Sequence, residues 1–423
     1  MIATVQKGRL SGEIPAIASK SYAHRLLIAA ALADRPTEVV CSTVSEDILA
    51  TARVLTAMGA SVERTDAGFT VEPISCRPEQ PTLDCGESGT TERFILPVAC
   101  ALGLNARITG HGRLPQRPLS PLYEELQAHG IRLSAQGIFP LRTEGRLPAG
   151  DYSIAANVSS QFIGGLLFAL SVIPGKSTLT LTGKIESAPY IDMTLDVLAL
   201  FGARIVRSED GRRFDIDGLE KLTSPGRALV EGDWSNSAFW LCAGALGKGV
   251  TLTGLRADSR QGDRAVVDIL KLFGAEITTT EDTVSVRPGF LHGITVDASQ
   301  IPDLVPILSV VASFAEGTTE FVNAGRLRIK ESDRLVTTRE MLTALGADVE
   351  ELPEGLIVHG RAEVQGGTCQ GANDHRIVMS AAVAGARTYE PVVIEGAQAV
   401  RKSYPDFFDD FARLGGLVFL EDD

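Results

Sequence analysis

A sixfold internal repeat is the feature that most restricts how this chain can fold. A segment of helical apolar spacing, then a glycine, then an alternating strand pattern recurs down the whole chain. The glycines are Gly59, Gly130, Gly202, Gly274, Gly346 and Gly415, which are 71, 72, 72, 72 and 69 residues apart. Each one stands where a left-handed residue commonly ends a helix, and the alternation after it indicates strands. Six units of about 70 residues thus fill the 423-residue chain, and each should contain a helix followed by strands.

A second helix in each unit is apolar around most of its circumference, which marks a helix buried on all sides. The six segments are Ser21–Ala33, Thr90–Gly103, Ser159–Ile173, Ser235–Gly247, Asp303–Ala315 and Asp374–Ala386. Each begins with a polar or charged cluster, as in ASKSYAHR, CGESGTTER and NDHR. Three such starts in each half of the chain should face a common cleft. Their free N–H groups and helix dipoles predict an anion site there.

Cations at these helix starts strengthen the prediction of an anion site. An ordinary N-cap accounts for any single Ser, Thr, Asp or Asn. It does not account for cations in or beside the first turns, where the helix dipole repels positive charge. These residues are Lys20, Arg25, Arg93, His375 and Arg376. A solvated surface charge is the alternative for a lone Lys or Arg, and a capping or core role is as good an explanation for His375.

Composition and charge exclude several classes of protein. Hydrophobic residues at 44% and charged residues at 22% are near globular averages, which excludes disorder, collagen-like repeats and coiled coils. The net charge of −13 disfavours non-specific binding to nucleic acid. Six cysteines occur singly without zinc-site spacing, the start lacks a signal-peptide pattern, and the apolar stretches are too short to span a bilayer. We therefore expect a cytoplasmic protein with reduced thiols and no nucleic-acid or membrane partner.

Nine motifs occur in order along the six repeats. They are SKSYAHR (Ser19–Arg25), CGESGTTER (Cys85–Arg93), LPQRP (Leu114–Pro118), SSQF (Ser159–Phe162), SAPYIDMT (Ser187–Thr194), IPD (Ile301–Asp303), LRIKESDR (Leu327–Arg334), NDHR (Asn373–Arg376) and KSYPDF (Lys402–Phe407). Each motif alone is weak, but together they make the chain resemble the 5-enolpyruvylshikimate-3-phosphate synthase family from end to end. The resemblance implies an α/β fold of two similar lobes, each with three βαβαββ-type repeats around buried helices, an inside-out α/β barrel. The implied lobes are 1–18 plus 230–423, and 19–229, with the active site in the cleft between them.

The resemblance also implies an activity and its residues. The family transfers the enolpyruvyl group of phosphoenolpyruvate to the 5-hydroxyl of shikimate-3-phosphate in the shikimate pathway to chorismate, and glyphosate competes with phosphoenolpyruvate. The residues implied for shikimate-3-phosphate are Lys20, Ser21, Arg25, Ser159, Ser160, Gln161, Ser187, Asp303 and Lys330. Those implied for phosphoenolpyruvate are Lys20, Gly89, Arg117, Gln161, Arg334, Arg376 and Lys402. Arginine matches carboxylate and phosphate bidentately, and lysine supplies a compact charge. Ser21, Ser159 and Ser160 are equally compatible with helix capping.

The implied reaction needs two groups that handle protons. Asp303, at a helix start among cations, is expected to stay ionised and to accept the hydroxyl proton. Glu331 is the candidate for the proton that reaches C3 of phosphoenolpyruvate, with Lys20 assisting. A salt bridge from Glu331 to its own i+3 residue, Arg334, is the competing interpretation. No metal or organic cofactor is implied, because arginines and lysines supply the electrostatic stabilisation; we expect a monomer whose partners are the two small substrates.

Two other functions compete with this one. Enolpyruvyl transferases that act on UDP-N-acetylglucosamine carry a reactive cysteine, or sometimes aspartate, in the loop before an Arg-Pro pair, and alignment on Arg117 puts Gly112 there. A catalytically silent, ligand-binding repeat protein would not need the lysines, arginines and carboxylates of the motifs. Some positions depart from the family pattern, which affects the expected affinity and glyphosate sensitivity more than the reaction type. They are Glu87, Glu92, Phe94 and Arg326.

Overall fold

The computed structural model describes residues 1–422, and the chain forms two compact units within it. One unit is Lys20–Val230, and the other is Met1–Ser19 together with the chain from Glu231 onward. We call them the continuous unit and the split unit, because the second is made of two separate stretches of sequence.

The strands are short and are distributed along both units. In chain order they are β1 (Ile2–Gln6), β2 (Ser11–Pro15), β3 (Thr37–Val40), β4 (Ser61–Thr65), β5 (Gly68–Glu72), β6 (Thr82–Asp84), β7 (Arg107–Thr109), β8 (Arg132–Leu133), β9 (Leu141–Glu144), β10 (Asp151–Ala155), β11 (Gly175–Thr182), β12 (Arg204–Arg207), β13 (Arg213–Gly218), β14 (Arg227–Leu229), β15 (Gly249–Thr253), β16 (Glu276–Thr279), β17 (Thr283–Arg287), β18 (Thr295–Asp297), β19 (Thr318–Val322), β20 (Asp348–Leu352), β21 (Gly355–His359), β22 (Gly367–Gln370), β23 (Val392–Glu395) and β24 (Leu417–Glu421).

Two α-helices belong to each repeat. In chain order they are α1 (Lys20–Ala31), α2 (Glu46–Ala57), α3 (Gly89–Leu102), α4 (Leu122–Ala128), α5 (Ser160–Ser171), α6 (Ala188–Leu200), α7 (Trp234–Leu246), α8 (Val266–Phe273), α9 (Val305–Ser313), α10 (Arg334–Ala344), α11 (His375–Gly385) and α12 (Phe407–Arg413). Among residues 1–422, no helix has both the length and the apolar character needed to cross a membrane.

The strands of residues 1–422 form six four-stranded sheets, three in each unit. The orders are β14-β3-β5-β4, β6-β7-β9-β8 and β10-β11-β13-β12 in the continuous unit, and β2-β15-β17-β16, β18-β19-β21-β20 and β22-β23-β1-β24 in the split unit. In every sheet the first two strands of this order are parallel and the other neighbours are antiparallel. Each repeat thus consists of a strand, a buried helix, a parallel strand, a second helix and an antiparallel strand pair, which is a hairpin in the first five repeats and β24 with β1 in the sixth. The predicted α/β repeat architecture is confirmed.

Three strands come to their sheets from far along the chain. β14, near the end of the continuous unit, pairs with β3 and completes the first repeat, with Arg227 opposite Glu38. β2 pairs with β15 of the fourth repeat, and β1 lies between β23 and β24 of the sixth. The N-terminal residues therefore complete two sheets of the split unit.

The buried helices α1, α3, α5, α7, α9 and α11 begin within two residues of their predicted starts. The largest difference is at α9, where the predicted start, Asp303, lies instead in a 3₁₀ turn over Pro302–Leu304. Such turns are frequent at the N-termini of α-helices. In the split unit α7, α9 and α11 pack against one another, and every residue of α9 is buried. This packing explains why these helices are apolar on all sides.

The six repeat glycines have the backbone conformation that the sequence predicts. Their φ angles are 103°, 87°, 74°, 106°, 87° and 85° in chain order, all in the left-handed region. Each follows the last turn of the second helix of its repeat. An antiparallel hairpin comes after the first five, whereas β24, after Gly415, pairs with β1. Because this conformation strains residues that carry a Cβ atom, glycine is the residue that allows the helix to end there.

Candidate active site

In the split unit, the starts of α7, α9 and α11 converge on one arginine. Arg376, in the first turn of α11, donates from Nη2 to Ser235 Oγ of α7 at 2.7 Å and from Nη1 to the backbone oxygen of Asp303 at 3.1 Å. Asp374 caps α11 by accepting the Arg376 N–H at 3.0 Å. His375, which stands between Asp374 and Arg376 in the sequence, is buried, and its Nδ1 is 3.9 Å from an oxygen of Asp374. The grouping of helix starts expected from the sequence is therefore present within this unit.

Arg334, the first residue of α10, is surrounded by carboxylates. Its guanidinium lies 2.7 Å from Asp303, 2.6 Å from Glu331 and 2.8 Å from Asp374, and its side chain is 1% exposed. Burial alone would lower the pKa of an arginine, but the three carboxylates outweigh it and raise the pKa of Arg334 above its usual value. The salt bridge that was the competing interpretation of Glu331 is therefore present.

Asp303 lies among three cations. An oxygen of its carboxylate is 2.7 Å from Arg334 and 3.2 Å from Lys330 Nζ, and the other is 3.7 Å from Arg376. Burial would raise the pKa of Asp303, yet the three cations hold it well below its usual range. Burial also lowers the pKa of Lys330 to about 8, even though Asp303 opposes this shift. Asp303 is thus a partly buried carboxylate held in its ionised form.

Lys402 reaches the start of α11 from the end of a 3₁₀ turn, Ala397–Lys402. Its Nζ donates to the backbone oxygen of Asn373 at 2.7 Å. Ala372 and Asn373 both adopt a left-handed backbone, with φ of 51° and 52°. Such conformations cost about 1–3 kcal/mol in residues other than glycine and cluster at functional sites. The strained turn thus points the carbonyl of Asn373, the residue just before the N-cap Asp374, at Lys402.

Asp263 is a buried carboxylate that supports Arg376 through Ser235. It accepts a hydrogen bond from the Ser235 hydroxyl, which itself accepts from Arg376. Burial and the nearby charge of Asp303 raise the pKa of Asp263 to about 6. The residue lies in a 3₁₀ turn, Gly262–Ala265, and no sequence motif marks it.

In the continuous unit, Lys20 opens α1 and pairs with Asp47. The distance from Lys20 Nζ to Asp47 Oδ2 is 2.7 Å. Asp47 lies in the first turn of α2, where a carboxylate also interacts favourably with the helix dipole. His24, one turn further along α1, is hydrogen-bonded to Thr51 of α2 at 2.7 Å. These two contacts fix the start of α1 against α2.

Gln161 joins the starts of α3 and α5. Its backbone N–H donates to the hydroxyl of Ser159 at 3.2 Å, so Ser159 is the N-cap of α5. The side-chain amide donates to Thr90 at 2.7 Å and accepts from Arg93 at 2.9 Å. Ser160 is the first residue of α5 and is buried. The hydroxyl, amide and guanidinium groups at these two helix starts therefore lie side by side.

Gly89 begins α3 and lies directly against Arg117. A Cβ atom added at Gly89 would be 2.6 Å from Arg117 Nη1 and 2.7 Å from Cζ. The backbone of Gly89 is not left-handed. The close approach of the guanidinium therefore accounts for the glycine, whereas the shape of the turn does not require it.

Arg25 is buried, and its guanidinium contacts neighbours within the continuous unit. Nε donates to Thr194 Oγ1 at 2.9 Å, Nη1 to the backbone oxygen of Ser21 at 2.7 Å, and Nη2 to that of Tyr190 at 3.0 Å. The ring of Phe94 lies 4.9 Å from the guanidinium carbon. Burial lowers the pKa of Arg25 to about 10. These contacts hold α6 against α1.

Ser187 immediately precedes α6 and has a left-handed backbone, with φ of 54°. Its side chain makes no capping hydrogen bond to the helix. Strain in a residue other than glycine favours a functional position. The Ser187 hydroxyl therefore stands at a helix start, where backbone N–H groups favour an anion.

Glu92 is the departure from the family pattern with the clearest structural consequence. Its side chain is 1% exposed, and Oε2 makes no hydrogen bond to any residue in the range 1–422. Burial raises the pKa of Glu92 to about 7, although Arg93 and Arg117 oppose the shift. Glu87, by contrast, is partly exposed and lies 3.9 Å from His111.

The sequence-predicted residues are divided between the two units. The split unit contains Asp303, Lys330, Glu331, Arg334, Arg376 and Lys402, and the continuous unit contains Lys20, Ser21, Arg25, Gly89, Arg117, Ser159, Ser160, Gln161 and Ser187. Sequence reasoning missed the acids that pair with or orient the cations, namely Asp47, Asp263 and Asp374. Asp374 stands inside the NDHR motif and could have been selected as the cap beside Arg376, whereas no local signal marks the other two.

Comparison with known proteins identifies the family. The model of the family described as EPSP synthase (3-phosphoshikimate 1-carboxyvinyltransferase) matches residues 5–411. The chain belongs to the EPSP synthase family. A 3-phosphoshikimate 1-carboxyvinyltransferase from Clostridium kluyveri is 42% identical over 98% of this chain and 97% of its own length, and one from Clostridium novyi is 40% identical over 97% and 96%. The predicted membership is confirmed across nearly the whole chain.

Solved structures agree with this membership. An EPSP synthase from Acinetobacter baumannii superimposes with a TM-score of 0.82 at 26% identity, covering 99% of this chain and 100% of that one. The enolpyruvyl transferase NikO from Streptomyces tendae has a TM-score of 0.79 at 20% identity over 99% and 98%, which is a likeness of fold alone. The EPSP synthase family assignment thus confirms the predicted fold class.

Proposed function

We propose that the protein is a 3-phosphoshikimate 1-carboxyvinyltransferase. It transfers the enolpyruvyl group of phosphoenolpyruvate to the 5-hydroxyl of shikimate-3-phosphate and releases phosphate. The observation that carries the proposal is the partly buried Asp303 carboxylate, which Lys330, Arg334 and Arg376 hold ionised at converging helix starts. An ionised carboxylate beside anion-binding cations can accept a hydroxyl proton while the cations hold the phosphate and carboxylate groups of the substrates.

The family resemblance assigns residues of both units to each substrate. In our proposal the hydroxyls of Ser159, Ser160 and Ser187 hold the sugar phosphate, because they stand at the starts of α5 and α6, where N–H groups favour an anion. The other contacts proposed for shikimate-3-phosphate come from Lys20, Ser21, Arg25, Gln161, Asp303 and Lys330. Those proposed for phosphoenolpyruvate come from Lys20, Gly89, Arg117, Gln161, Arg334, Arg376 and Lys402.

The crowding around Arg334 suggests how Glu331 becomes available to phosphoenolpyruvate. Three carboxylates already surround the guanidinium, so a substrate carboxylate that binds it must displace one of them. Glu331 is the most accessible of the three, at 20% exposed. Displacement frees the Glu331 carboxyl from its ion pair with Arg334. In our proposal this carboxyl delivers the proton to C3 of phosphoenolpyruvate, with Lys20 assisting, while Asp303 takes the proton of the 5-hydroxyl.

Two competing functions lead to different experimental results. A UDP-N-acetylglucosamine enolpyruvyl transferase would use a cysteine or aspartate where this chain has Gly112. A silent ligand-binding protein would have no reason to keep Asp303 ionised beside Lys330. Both features favour the proposed reaction.

The test measures inorganic phosphate released from phosphoenolpyruvate by the purified protein. We expect release with shikimate-3-phosphate, without added metal, and none with UDP-N-acetylglucosamine. If phosphate is released with UDP-N-acetylglucosamine but not with shikimate-3-phosphate, the protein is instead a UDP-N-acetylglucosamine enolpyruvyl transferase. Binding of both substrates by calorimetry without phosphate release would support the silent scaffold.

We further propose that the enzyme works as a monomer in the cytoplasm. All six cysteines are free thiols, as a reducing compartment requires. Sedimentation velocity at the concentration of the assay would test the monomer, and fractionation of cells that express the protein would test the compartment.

A further inference from the structure

A cavity lies in the split unit, at the opposite end of its buried helices from Arg376 and Asp303. Its volume is about 580 Å³, and its walls come from the segments that follow α7, α9 and α11. α7 alone is 13 residues long, so the cavity is ~20 Å along the helix axis from Ser235. None of the residues proposed for the substrates lines it. Ligand pockets commonly have volumes of ~300–1,000 Å³, so there is room for a small organic molecule.

The cavity combines aromatic and apolar walls with arginines. The residues that characterise it are Arg9, Leu246, Phe290, Leu291, Phe314 and Arg387. The guanidinium carbon of Arg387 is 5.7 Å from the centre of the Phe314 ring, so the cation lies over the aromatic face. A flat apolar wall beside a cation is suited to a ligand that has both a ring and a negative charge.

Neither Arg9 nor Arg387 forms an ion pair within residues 1–422, although the exposed carboxylate of Glu316 also lines the cavity. Arg387 Nε is buried and makes no hydrogen bond to these residues. Burial lowers the pKa of Arg387, and the charge of Arg9 lowers it further. Arg361, which also lines the cavity, is paired with Asp348 at 3.1 Å. Two mutually repelling cations in a protein of net charge −13 are an unusual arrangement that an anion would relieve.

The helix ends offer a simpler explanation, which accounts for part of the arrangement. The C-terminal end of a helix attracts cations, and three helices end here. The Arg387 guanidinium nevertheless donates no hydrogen bond to a helix carbonyl in residues 1–422. The dipoles also give no reason for an open cavity beside Phe314. The positive charge is explained by the helix ends, but its combination with an aromatic wall is not.

We propose that this cavity binds a small aromatic carboxylate. The carboxylate lies between Arg9 and Arg387, where the guanidinium of Arg387 has free donors, and the ring packs against Phe314 and Leu291. The site is separate from the substrate residues, so binding does not depend on the proposed reaction.

The test is calorimetric titration of the full chain with 3-phenylpropionate. We expect saturable binding of one molecule per chain. Two probes that each lack one feature, 3-phenylpropanamide without the charge and butyrate without the ring, should bind at least tenfold more weakly. Arg387→Gln and Phe314→Leu should each weaken 3-phenylpropionate at least tenfold. Arg204→Gln removes the same charge from an exposed arginine outside the cavity and should leave the affinity unchanged.

Arg376→Gln separates this cavity from the substrate residues. We expect that variant to retain the affinity of the parent for 3-phenylpropionate even though its phosphate release is impaired. The proposal is overturned if 3-phenylpropionate does not bind, if Arg376→Gln abolishes binding, or if Arg387→Gln and Arg204→Gln have equal effects. Thermal unfolding of each variant without ligand identifies any loss of binding that comes from misfolding. If Arg387→Gln misfolds, Arg387→Lys replaces it in the test. Because this variant keeps the charge, it should fold and retain part of the affinity of the parent for 3-phenylpropionate.

Discussion

At the scale of single residues, the site in the split unit is a network of ion pairs in which each charged group has several partners. Arg334 holds three carboxylates, and Asp303 contacts three cations, so each group fixes the ionisation of its neighbours. Removing one partner of a buried pair leaves an uncompensated charge, which costs more than the pair contributes. Substitutions in this cluster therefore need a measurement of stability beside the measurement of rate.

The first prediction concerns Asp303. Asp303→Asn should lower kcat by ~10²-fold or more, because a positioned proton acceptor is lost. Glu351→Gln is the matched control, since Glu351 pairs with Arg328 and Arg339 outside the substrate residues, and its kcat should stay near that of the parent. Steady-state kinetics and thermal unfolding together provide the test. A folded Asp303→Asn variant with the kcat of the parent would remove Asp303 from the mechanism.

A second residue-scale prediction follows from the contact between Gly89 and Arg117. Gly89→Ala places a methyl group where the Arg117 guanidinium now lies, so the arginine must move. We expect KM for phosphoenolpyruvate to rise at least tenfold and glyphosate, the longer ligand, to weaken more. Shikimate-3-phosphate should stay within about threefold, a difference of ~0.7 kcal/mol. Gly150→Ala is the control, because nothing lies within 4 Å of its added Cβ. Equal effects on the three ligands would contradict a local displacement of Arg117.

The buried Glu92 predicts a pH dependence of stability. Its pKa rises from 4.5 to about 7 on folding, so the folded protein binds the proton more tightly than the unfolded chain. Stability should therefore fall as pH rises from about 4.5 to about 7 and level off above that, by about 3 kcal/mol in total. Glu92→Gln should remove this loss, so the variant exceeds the parent most at pH 8. Urea unfolding from pH 5 to pH 8 measures the difference, with the exposed Glu63→Gln as control. A constant difference between parent and Glu92→Gln across this range would contradict the assignment.

The sequence predicts the cations of the site better than their partners. Lysines and arginines at the starts of buried helices stand out locally, because the helix dipole disfavours them there. Asp47 and Asp263 do not stand out, because acids near helix starts are common and their pairing with Lys20 or Ser235 depends on distant elements. The ion pair of Glu331 with Arg334 was visible as an i+3 spacing, whereas the convergence of two further acids on Arg334 was not.

At the scale of elements, the repeat glycines show how one sequence signal serves different environments. All six have positive φ, which local sequence predicted. Their surroundings differ: an added Cβ would meet nothing within 4 Å at Gly415 but would lie 1.9 Å from the carbonyl oxygen of Cys76 at Gly59. The helix end is a local property, whereas the backbone packed against it comes from another part of the repeat.

This difference predicts unequal costs for the same substitution. Gly415→Ala should destabilise the protein by ~1 kcal/mol, the cost of a left-handed residue with a Cβ atom. Gly59→Ala should cost at least ~3 kcal/mol, because a backbone carbonyl must also move. Chemical denaturation of both variants provides the comparison. Equal losses of stability would show that the contact with Cys76 relaxes without cost.

Local sequence patterns predicted strand pairing less well than any other part of the fold. The alternation after each glycine identified the hairpins, and the buried helices were placed within two residues. The assignment of β1, β2 and β14 to distant repeats was not foreseen from periodicity. Those pairings join residues hundreds of positions apart, as in Ile2 opposite Glu421, and a periodic pattern contains no information about such partners.

At the scale of the whole molecule, the two units differ in how their sheets are closed. The continuous unit builds its three sheets from β3 to β14, all within Lys20–Val230. The split unit needs β1 and β2 from the N-terminal segment, and β24 pairs with β1 alone among the strands of residues 1–422. The sequence repeats are similar, yet only one of the units is complete in a single stretch of chain.

We therefore predict different behaviour for fragments. Residues 20–230 expressed alone should unfold cooperatively in urea, whereas residues 231–423 alone should not, because two sheets lack a strand. Joining residues 1–19 by a flexible linker to the end of the second fragment should restore a cooperative transition. Circular dichroism follows all three. Cooperative unfolding of 231–423 without the added segment would mean that β1 and β2 are dispensable.

The position of β1 also has a consequence for how the protein is made. The ribosome makes this strand long before its partner β24, which ends at Glu421. At ~5–20 residues per second, the ribosome needs roughly 20–80 s to reach that partner. During this interval the nascent chain exposes Ala3 and Val5, which are fully buried in the finished protein. The continuous unit can fold while it emerges from the ribosome, but β1 remains unpaired until β24 has been made. An unpaired strand is prone to pair with other chains, so β1 is where the nascent protein would most need a chaperone.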